Sequence, residues 1–165
     1  MNGRERWILK RIFSMALISV FSFVGVAFGQ TPFAPEPPAR TELRETIFRY
    51  MFEHFSYGPD VKVLCIQPET PQPERFLLRF SANQHRVVWA SACEMFGPMN
   101  GLKETKSGER AVRMTIISIE SINSHEAEVN VEAFSDGIAA NRNVLRMARE
   151  NGHWIVKRDT PNGVS

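Results

Sequence analysis

Cysteine, histidine and tyrosine are scarce in this chain of 165 residues, which contains two Cys, four His and two Tyr. No two of the histidines have the spacing of paired metal ligands, so the sequence predicts no metal site of the HExxH type. A Gly-x-Ser-x-Gly motif is missing, and neither cysteine has a recognisable histidine partner. Motifs alone therefore predict no catalytic residue, no metal site and no cofactor.

A strong net charge is also lacking. The whole chain has a formal charge of +2, but residues 1–29 hold four Lys or Arg and one Glu, so the rest has 16 basic and 17 acidic residues and a net charge of −1. This balance excludes a general electrostatic attraction to nucleic acid or to an anionic membrane surface. The basic residues are scattered, so only a local patch built from neighbouring strands remains open.

The N-terminal segment has the pattern of an export signal. Basic residues cluster within residues 4–11, and an uncharged, mostly apolar run occupies residues 12–28. Small residues, Ala27 and Gly29, stand three and one positions before a cut at Gln30. We predict a signal peptide over residues 1–29, cleaved between Gly29 and Gln30, and a periplasmic or secreted product. The alternative is an uncleaved anchor, which would make this segment the only contact with a membrane.

The remainder predicts a tether, one domain and a short tail. Residues 30–40 contain four prolines, which favours an extended linker. We predict a single domain over residues 41–160, followed by a tail at 161–165. In an exported protein the pair Cys65 and Cys93 predicts one disulfide, with two buried free thiols as the alternative.

Periodicity places one long helix before a series of strands. An apolar face recurs at helical spacing over residues 41–55, with Thr41 as the cap. The following segments predict a strand at 61–66, a short helix from Pro73, a strand at 86–92 and a polar loop at 97–109. The last third predicts an antiparallel meander of four strands at 111–120, 126–133, 143–149 and 153–158. The turn dipeptide Asn151-Gly152 joins the last two strands.

The predicted fold class is α+β, with one main N-terminal helix packed on a curved antiparallel sheet that ends in the four-strand meander. The closing sequence NVLRMARENGHWIVKRD, in which Gly152 precedes His153-Trp154 and a run of apolar residues, resembles the NTF2-like (cystatin-like α+β) superfamily. It also resembles uncharacterised exported bacterial proteins that end in a similar strand pair after a small-residue loop, here residues 137–141. The resemblance covers roughly residues 41–160.

In that superfamily, the enzymes place Asp, His or Tyr inside a cone between helix and sheet. The resemblance therefore implies a pocket with Tyr50, His54 and Trp89 as its first candidates, although no acid–base set matches residue by residue. Because reactive motifs are missing, we expect a non-catalytic binding or interaction module whose partner is a protein or a small ligand. Its contact surface is expected on the exposed face of the meander or on the loop at residues 135–141. The alternative is a small-molecule or enzymatic pocket between helix and sheet.

Overall fold

A computed structural model describes residues 38–97, 101–136 and 139–164 of the chain. Helix α1 spans Pro38–His54, so it begins before the predicted cap Thr41 and includes the end of the predicted linker. Proline is tolerated at this first position because the first amides of a helix lack an intrahelical acceptor. The predicted signal peptide, its cut at Gly29 and Gln30, and the rest of the linker lie outside the described residues.

The described residues contain eight strands and two 3₁₀ helices. The strands are β1 Val63–Gln67, β2 Arg86–Trp89, β3 Cys93–Met95, β4 Leu102–Glu104, β5 Ala111–Ser121, β6 Glu126–Asp136, β7 Ala139–Glu150 and β8 His153–Val164. The 3₁₀ helices are Glu74–Phe80, where a short helix was predicted, and Ala90–Ala92. Residues 97–109 were predicted as a loop throughout, but β4 lies inside them and pairs with β3 as a small hairpin.

Six strands form one sheet in the order β2-β1-β5-β6-β7-β8. The meander β5–β8 is antiparallel, which confirms the prediction for the last third of the chain. The expectation of a wholly antiparallel sheet was wrong, because β1 pairs in parallel with both β2 and β5. Long connections separate β1 from each neighbour, and parallel pairing requires such crossovers rather than tight turns.

The strands of the meander are longer than predicted. β6 reaches Asp136 and β7 begins at Ala139, so most of the expected loop at residues 135–141 is strand; Gly137 and Ile138 lie outside the described residues. β8 continues through the predicted tail, where Pro161 pairs with Asn143. Proline is compatible with this strand because β8 is at the edge of the sheet, where an amide donor is not required on the outer side.

The main core lies between the sheet and one layer formed by α1 and the longer 3₁₀ helix. Phe48 and Met51 of the helix are fully buried against residues such as Ile116 and Leu145 of the sheet. Phe76 and Phe80 of the 3₁₀ helix extend this core, with ring centroids 5.4 Å apart. The broad aromatic stripe of the helix therefore faces the sheet, as its sequence predicts.

The opposite face of β1 is covered by the β3–β4 hairpin. Alternation along β1 directs Val63 and Cys65 to this side, where they form a second core with Cys93, Leu102 and Ala111. Burial on both faces explains why β1 is a continuous apolar run. Cys65 and Cys93 form the predicted disulfide, with Cα atoms 6.4 Å apart, which fits an oxidising compartment.

A buried carboxylate fixes the base of the hairpin to β2. Glu104 is 3 % exposed and accepts hydrogen bonds from Arg86 at 2.9 and 2.6 Å and from Ser107. The hydrogen bond from Ser107, together with the hydrogen bonds and charge of Arg86, lowers the pKa of Glu104, although desolvation opposes the shift. The ionised form of Glu104 is therefore the one that the folded state stabilises.

Glu104→Gln is expected to lower the free energy of unfolding at pH 7 by about 1–3 kcal/mol, the usual effect of weakening buried charge-assisted hydrogen bonds. The lowered pKa means that the contribution is present above the unfolded-state pKa of about 4.5 and disappears as pH falls through the folded-state value. Urea unfolding between pH 7 and pH 3 should therefore show a shallower loss of stability for the variant. Glu109→Gln is the control, because Glu109 also pairs with Arg86 but is 47 % exposed; it should change stability by less than about 1 kcal/mol.

Candidate functional site

An open groove lies at the carboxyl ends of the parallel strands β1 and β2. Its volume is about 680 Å³, and its polar and aromatic walls come from Gln67, Glu69, Glu74, Trp89, Ser91 and Arg113. We call it the carboxyl-end groove. It exists because β1 and β2 have 5 and 4 residues while β5 has 11, so the sheet has a step at this end. After β1, prolines 68, 71 and 73 turn the chain away, because proline cannot donate to the ladder.

Trp89 forms a fixed aromatic wall of the groove. It is the last residue of β2, and its indole stacks on Phe76 with the ring centroids 6.2 Å apart and the planes 13° from parallel. The indole Nε1 donates a hydrogen bond of 2.8 Å to Oε1 of Glu74. The ring is therefore held on one face and at its polar edge, while it still lines the groove.

Arg113 contributes a cation to the same groove. It lies on β5 opposite Cys65, and alternation directs it to the hairpin side of the sheet. Its Nη2 donates to the carbonyl oxygen of Cys93 at 3.4 Å. Its Nε is buried and has no hydrogen-bond partner within residues 38–97, 101–136 and 139–164. Among the charged side chains that line the groove, Arg113 therefore has the fewest hydrogen-bond partners for its polar atoms.

A buried ion pair between Arg44 and Glu69 holds the part of the groove wall that follows β1. Arg44 of α1 is only 1 % exposed, and its Nε donates to both oxygens of Glu69, at 3.0 and 2.9 Å. Its Nη2 also donates to Glu69 and, at 2.9 Å, to Oγ1 of Thr70. The helix thereby fixes the segment that follows β1, and the charge of Glu69 is offset within the protein.

Tyr50 and His54 form a separate polar cluster beside β8. Their rings stack with centroids 4.1 Å apart, and the Tyr50 hydroxyl donates to Oδ2 of Asp159 at 3.0 Å. Asn143 donates to the other oxygen of Asp159. Burial, followed by the hydrogen bond and charge of Asp159, raises the pKa of Tyr50 to about 12. The phenol therefore stays protonated at neutral pH, and the cluster ties the helix to β8.

The structure thus brings two of the three candidate pocket residues together. Tyr50 and His54 touch each other and lie near β8, whereas Trp89 is on β2, at the opposite edge of the six-stranded sheet. The space between helix and sheet, where a pocket was expected, is filled by buried residues such as Phe48 and Met51. Trp89 packs against this core on one side and lines the groove on the other.

Sequence reasoning missed Arg44, Glu69 and Arg113. The sequence analysis assigned no role to Arg44 or Glu69, and it treated Arg113 as one of many scattered basic residues. The sequence shows Arg113 as a charged residue within an apolar strand, but its position opposite Cys65 follows only from the register between β1 and β5. For the ion pair no local signal existed, because its two residues are 25 positions apart.

A smaller depression lies beyond the end of α1. Its volume is about 260 Å³, and residues from the helix end and from β5, β6 and β7 surround it, namely Ser56, Tyr57, Gly58, Val112, Ala133, Ser135 and Asn141. Ser135 and Asn141 are the first and last residues of the small-residue segment that was expected to make contacts. The lining offers hydroxyl and amide groups but no charged side chain, so it is a weaker candidate than the carboxyl-end groove.

These features define a small α+β domain with a mixed six-stranded sheet and a groove at the carboxyl ends of its parallel strands. Comparison with protein-family models, with curated proteins and with solved structures finds no match for this chain. The described residues contain no group of three or more His, Cys, Asp or Glu side chains that could bind a metal ion. Among the helices that the structure describes, none combines the length and the apolar character needed to span a bilayer.

Proposed function

We propose that this protein is an exported, non-catalytic binding module that acts through the carboxyl-end groove. The observation that carries the proposal is the filled interior: Phe48 and Met51 are fully buried between helix and sheet, where an enclosed active site would have to lie. A binding function then has to use the outside of the domain. Open crevices beyond the carboxyl ends of parallel strands are frequent ligand sites in sheet proteins.

The outer face of the meander supports docking less well than the groove. Its charges already complement each other across neighbouring strands, with Arg142 at 2.5 Å from Glu132 and Arg146 at 3.4 Å from Glu128. Such cross-strand pairs are typical of a solvated sheet surface. In the groove, by contrast, a fixed indole and a poorly satisfied guanidinium line the same depression.

Export and family membership are parts of this proposal. The disulfide between Cys65 and Cys93 supports an oxidising compartment, and the pattern of residues 1–29 supports a signal peptide. N-terminal sequencing of the exported protein should give Gln30 as the first residue. Kinship with the NTF2-like superfamily is supported by the helix that packs on the antiparallel meander; the parallel strands around β1 differ from the sheet that the resemblance implies.

The proposal is tested by nuclear magnetic resonance with a set of small aromatic acids, amines, alcohols and amides added singly to the purified chain. Binders are expected to shift the amide signals of Gln67, Trp89 and Ser91. Trp89→Ala should weaken such binders about tenfold. Contact between the indole and an aromatic or apolar ligand contributes on the order of 1 kcal/mol or more, and the substitution removes it. Leu78→Ala is the matched control, since Leu78 is an exposed apolar residue, 71 % accessible, outside the groove lining.

Two results would contradict the proposal. Saturable shifts confined to core residues such as Met51, Ile116 and Leu145 would show that ligands enter between helix and sheet, and would favour the pocket alternative. If none of the probes shifts the amide signals of the groove at concentrations up to millimolar, the groove is not a binding site for small molecules of these classes.

A further inference from the structure

We propose that the carboxyl-end groove binds a small organic monocarboxylate, with Arg113 pairing to the carboxylate and Trp89 covering the apolar body of the ligand. This inference rests on the proposed function, because it assigns a ligand class to the same groove. It follows from the chemistry of the groove walls.

Arg113 is the group that selects an anion. Its Nε is buried without a hydrogen-bond partner among the described residues, and its contact with the Cys93 carbonyl is long, at 3.4 Å. A guanidinium with so few hydrogen bonds is poorly satisfied, so a ligand that accepts hydrogen bonds from the part of it that lines the groove is bound more tightly for that reason. The planar fork of a guanidinium matches the two oxygens of a carboxylate.

The other charged groups of the groove are already engaged. Glu69 is neutralised by the buried Arg44, and Glu74 accepts the hydrogen bond of the Trp89 indole. Because both carboxylates have partners, Arg113 keeps its charge available to a ligand. The negative charge of Glu74 in the same groove penalises a dianion more than a monoanion, which favours a carboxylate over a phosphate.

Trp89 determines the rest of the ligand. Its stacking on Phe76 and its bond to Glu74 hold the indole in one orientation, so an apolar body can bind against it with little loss of conformational freedom. The groove volume of about 680 Å³ is within the range of sites for small molecules. An acid with an aromatic or aliphatic body therefore fits both walls.

The test uses 4-phenylbutyrate and the matched neutral probe 4-phenylbutanol. Binding to the full chain is followed through the indole Nε1–H signal of Trp89 and the Nε–H signal of Arg113. We expect the acid to bind at least tenfold more tightly than the alcohol, and added salt to weaken only the acid. In Arg113→Gln the acid should bind about 10–100-fold more weakly, and the preference for the acid should disappear.

Three further proteins separate a ligand contact from a folding defect. Arg146→Gln removes an exposed arginine of the outer meander face and should bind both probes like the unmodified chain. Arg113→Lys should retain part of the preference for the acid, because it keeps the charge but loses the fork. Trp89→Ala should weaken both probes by a similar factor and leave their ratio unchanged, and its amide spectrum should keep the dispersion of the folded chain, which a general loss of structure would remove.

The outcomes distinguish this inference from the proposed function. Equal binding of acid and alcohol at the groove would overturn the carboxylate assignment and leave the groove as a binding site. Unchanged binding of the acid in Arg113→Gln would overturn it as well. Shifts at the groove by other probes, but not by 4-phenylbutyrate, would reject the ligand class alone, whereas no shift by any probe would reject both proposals.

Discussion

Arg44→Met is expected to lower the free energy of unfolding by about 3–5 kcal/mol, the usual result of removing one partner of a buried ion pair. The substitution leaves the carboxylate of Glu69, whose side chain is 10 % exposed, without its cation. It also removes the hydrogen bond to Thr70. Urea unfolding followed by circular dichroism measures the change, with the slope of the transition as a check that the denatured state is unaltered.

The control for Arg44→Met is Arg49→Met on the same helix. Arg49 also pairs with a glutamate, Glu45, but is 47 % exposed, so its loss should change stability by less than about 1 kcal/mol. A double variant, Arg44→Met with Glu69→Met, should be more stable than the sum of its single substitutions predicts, because neither charge is left buried alone. Equal effects of Arg44→Met and Arg49→Met would contradict the burial of this pair.

Removal of the disulfide is the second large effect. Replacing both Cys65 and Cys93 with alanine is expected to lower the free energy of unfolding by about 3–4 kcal/mol, because the crosslink closes a loop of 28 residues in the unfolded chain. That is a large fraction of the total stability of a small domain. The loss is measured as a shift in the urea midpoint at constant slope.

Reduction of the unmodified chain provides the internal comparison for the disulfide. Excess thiol should shift its urea midpoint toward that of the double alanine variant, whereas the variant itself should not respond to thiol. A variant that unfolds at the midpoint of the oxidised protein would contradict the expected contribution. The disulfide also constrains one contact of the groove, because the Cys93 carbonyl accepts a hydrogen bond from Arg113.

The meander was predictable because its signals are local. Alternation of apolar and polar residues along β6 sets which face is buried, and the turn that joins β7 to β8 needs two residues of positive φ. Asn151 and Gly152 have φ of 52° and 86°, as the dipeptide predicts. The disulfide was predictable from the number of cysteines and the predicted export signal, without any knowledge of geometry.

The parallel strands were not predictable in the same way. The apolar run at residues 61–66 predicts a strand that is buried on both faces, but it does not predict whether the neighbouring strands are parallel or antiparallel to it. That direction depends on the crossover through the prolines and the 3₁₀ helix Glu74–Phe80. The groove follows from this pairing, so its walls could not be assembled from the sequence. Trp89 was named as a pocket residue, but Arg113 required the register between β1 and β5.

The outer edge of β8 also bears on how the molecule behaves in concentrated solution. The register between β7 and β8 shifts at Lys157, which is left without a directly opposite residue, and further along the strand Pro161 lacks an amide hydrogen. Irregular pairing, a lysine and a proline are the means by which natural sheets prevent strand-to-strand polymerisation. A twelve-residue strand at the rim can therefore face solvent without serving as a template for amyloid-like growth.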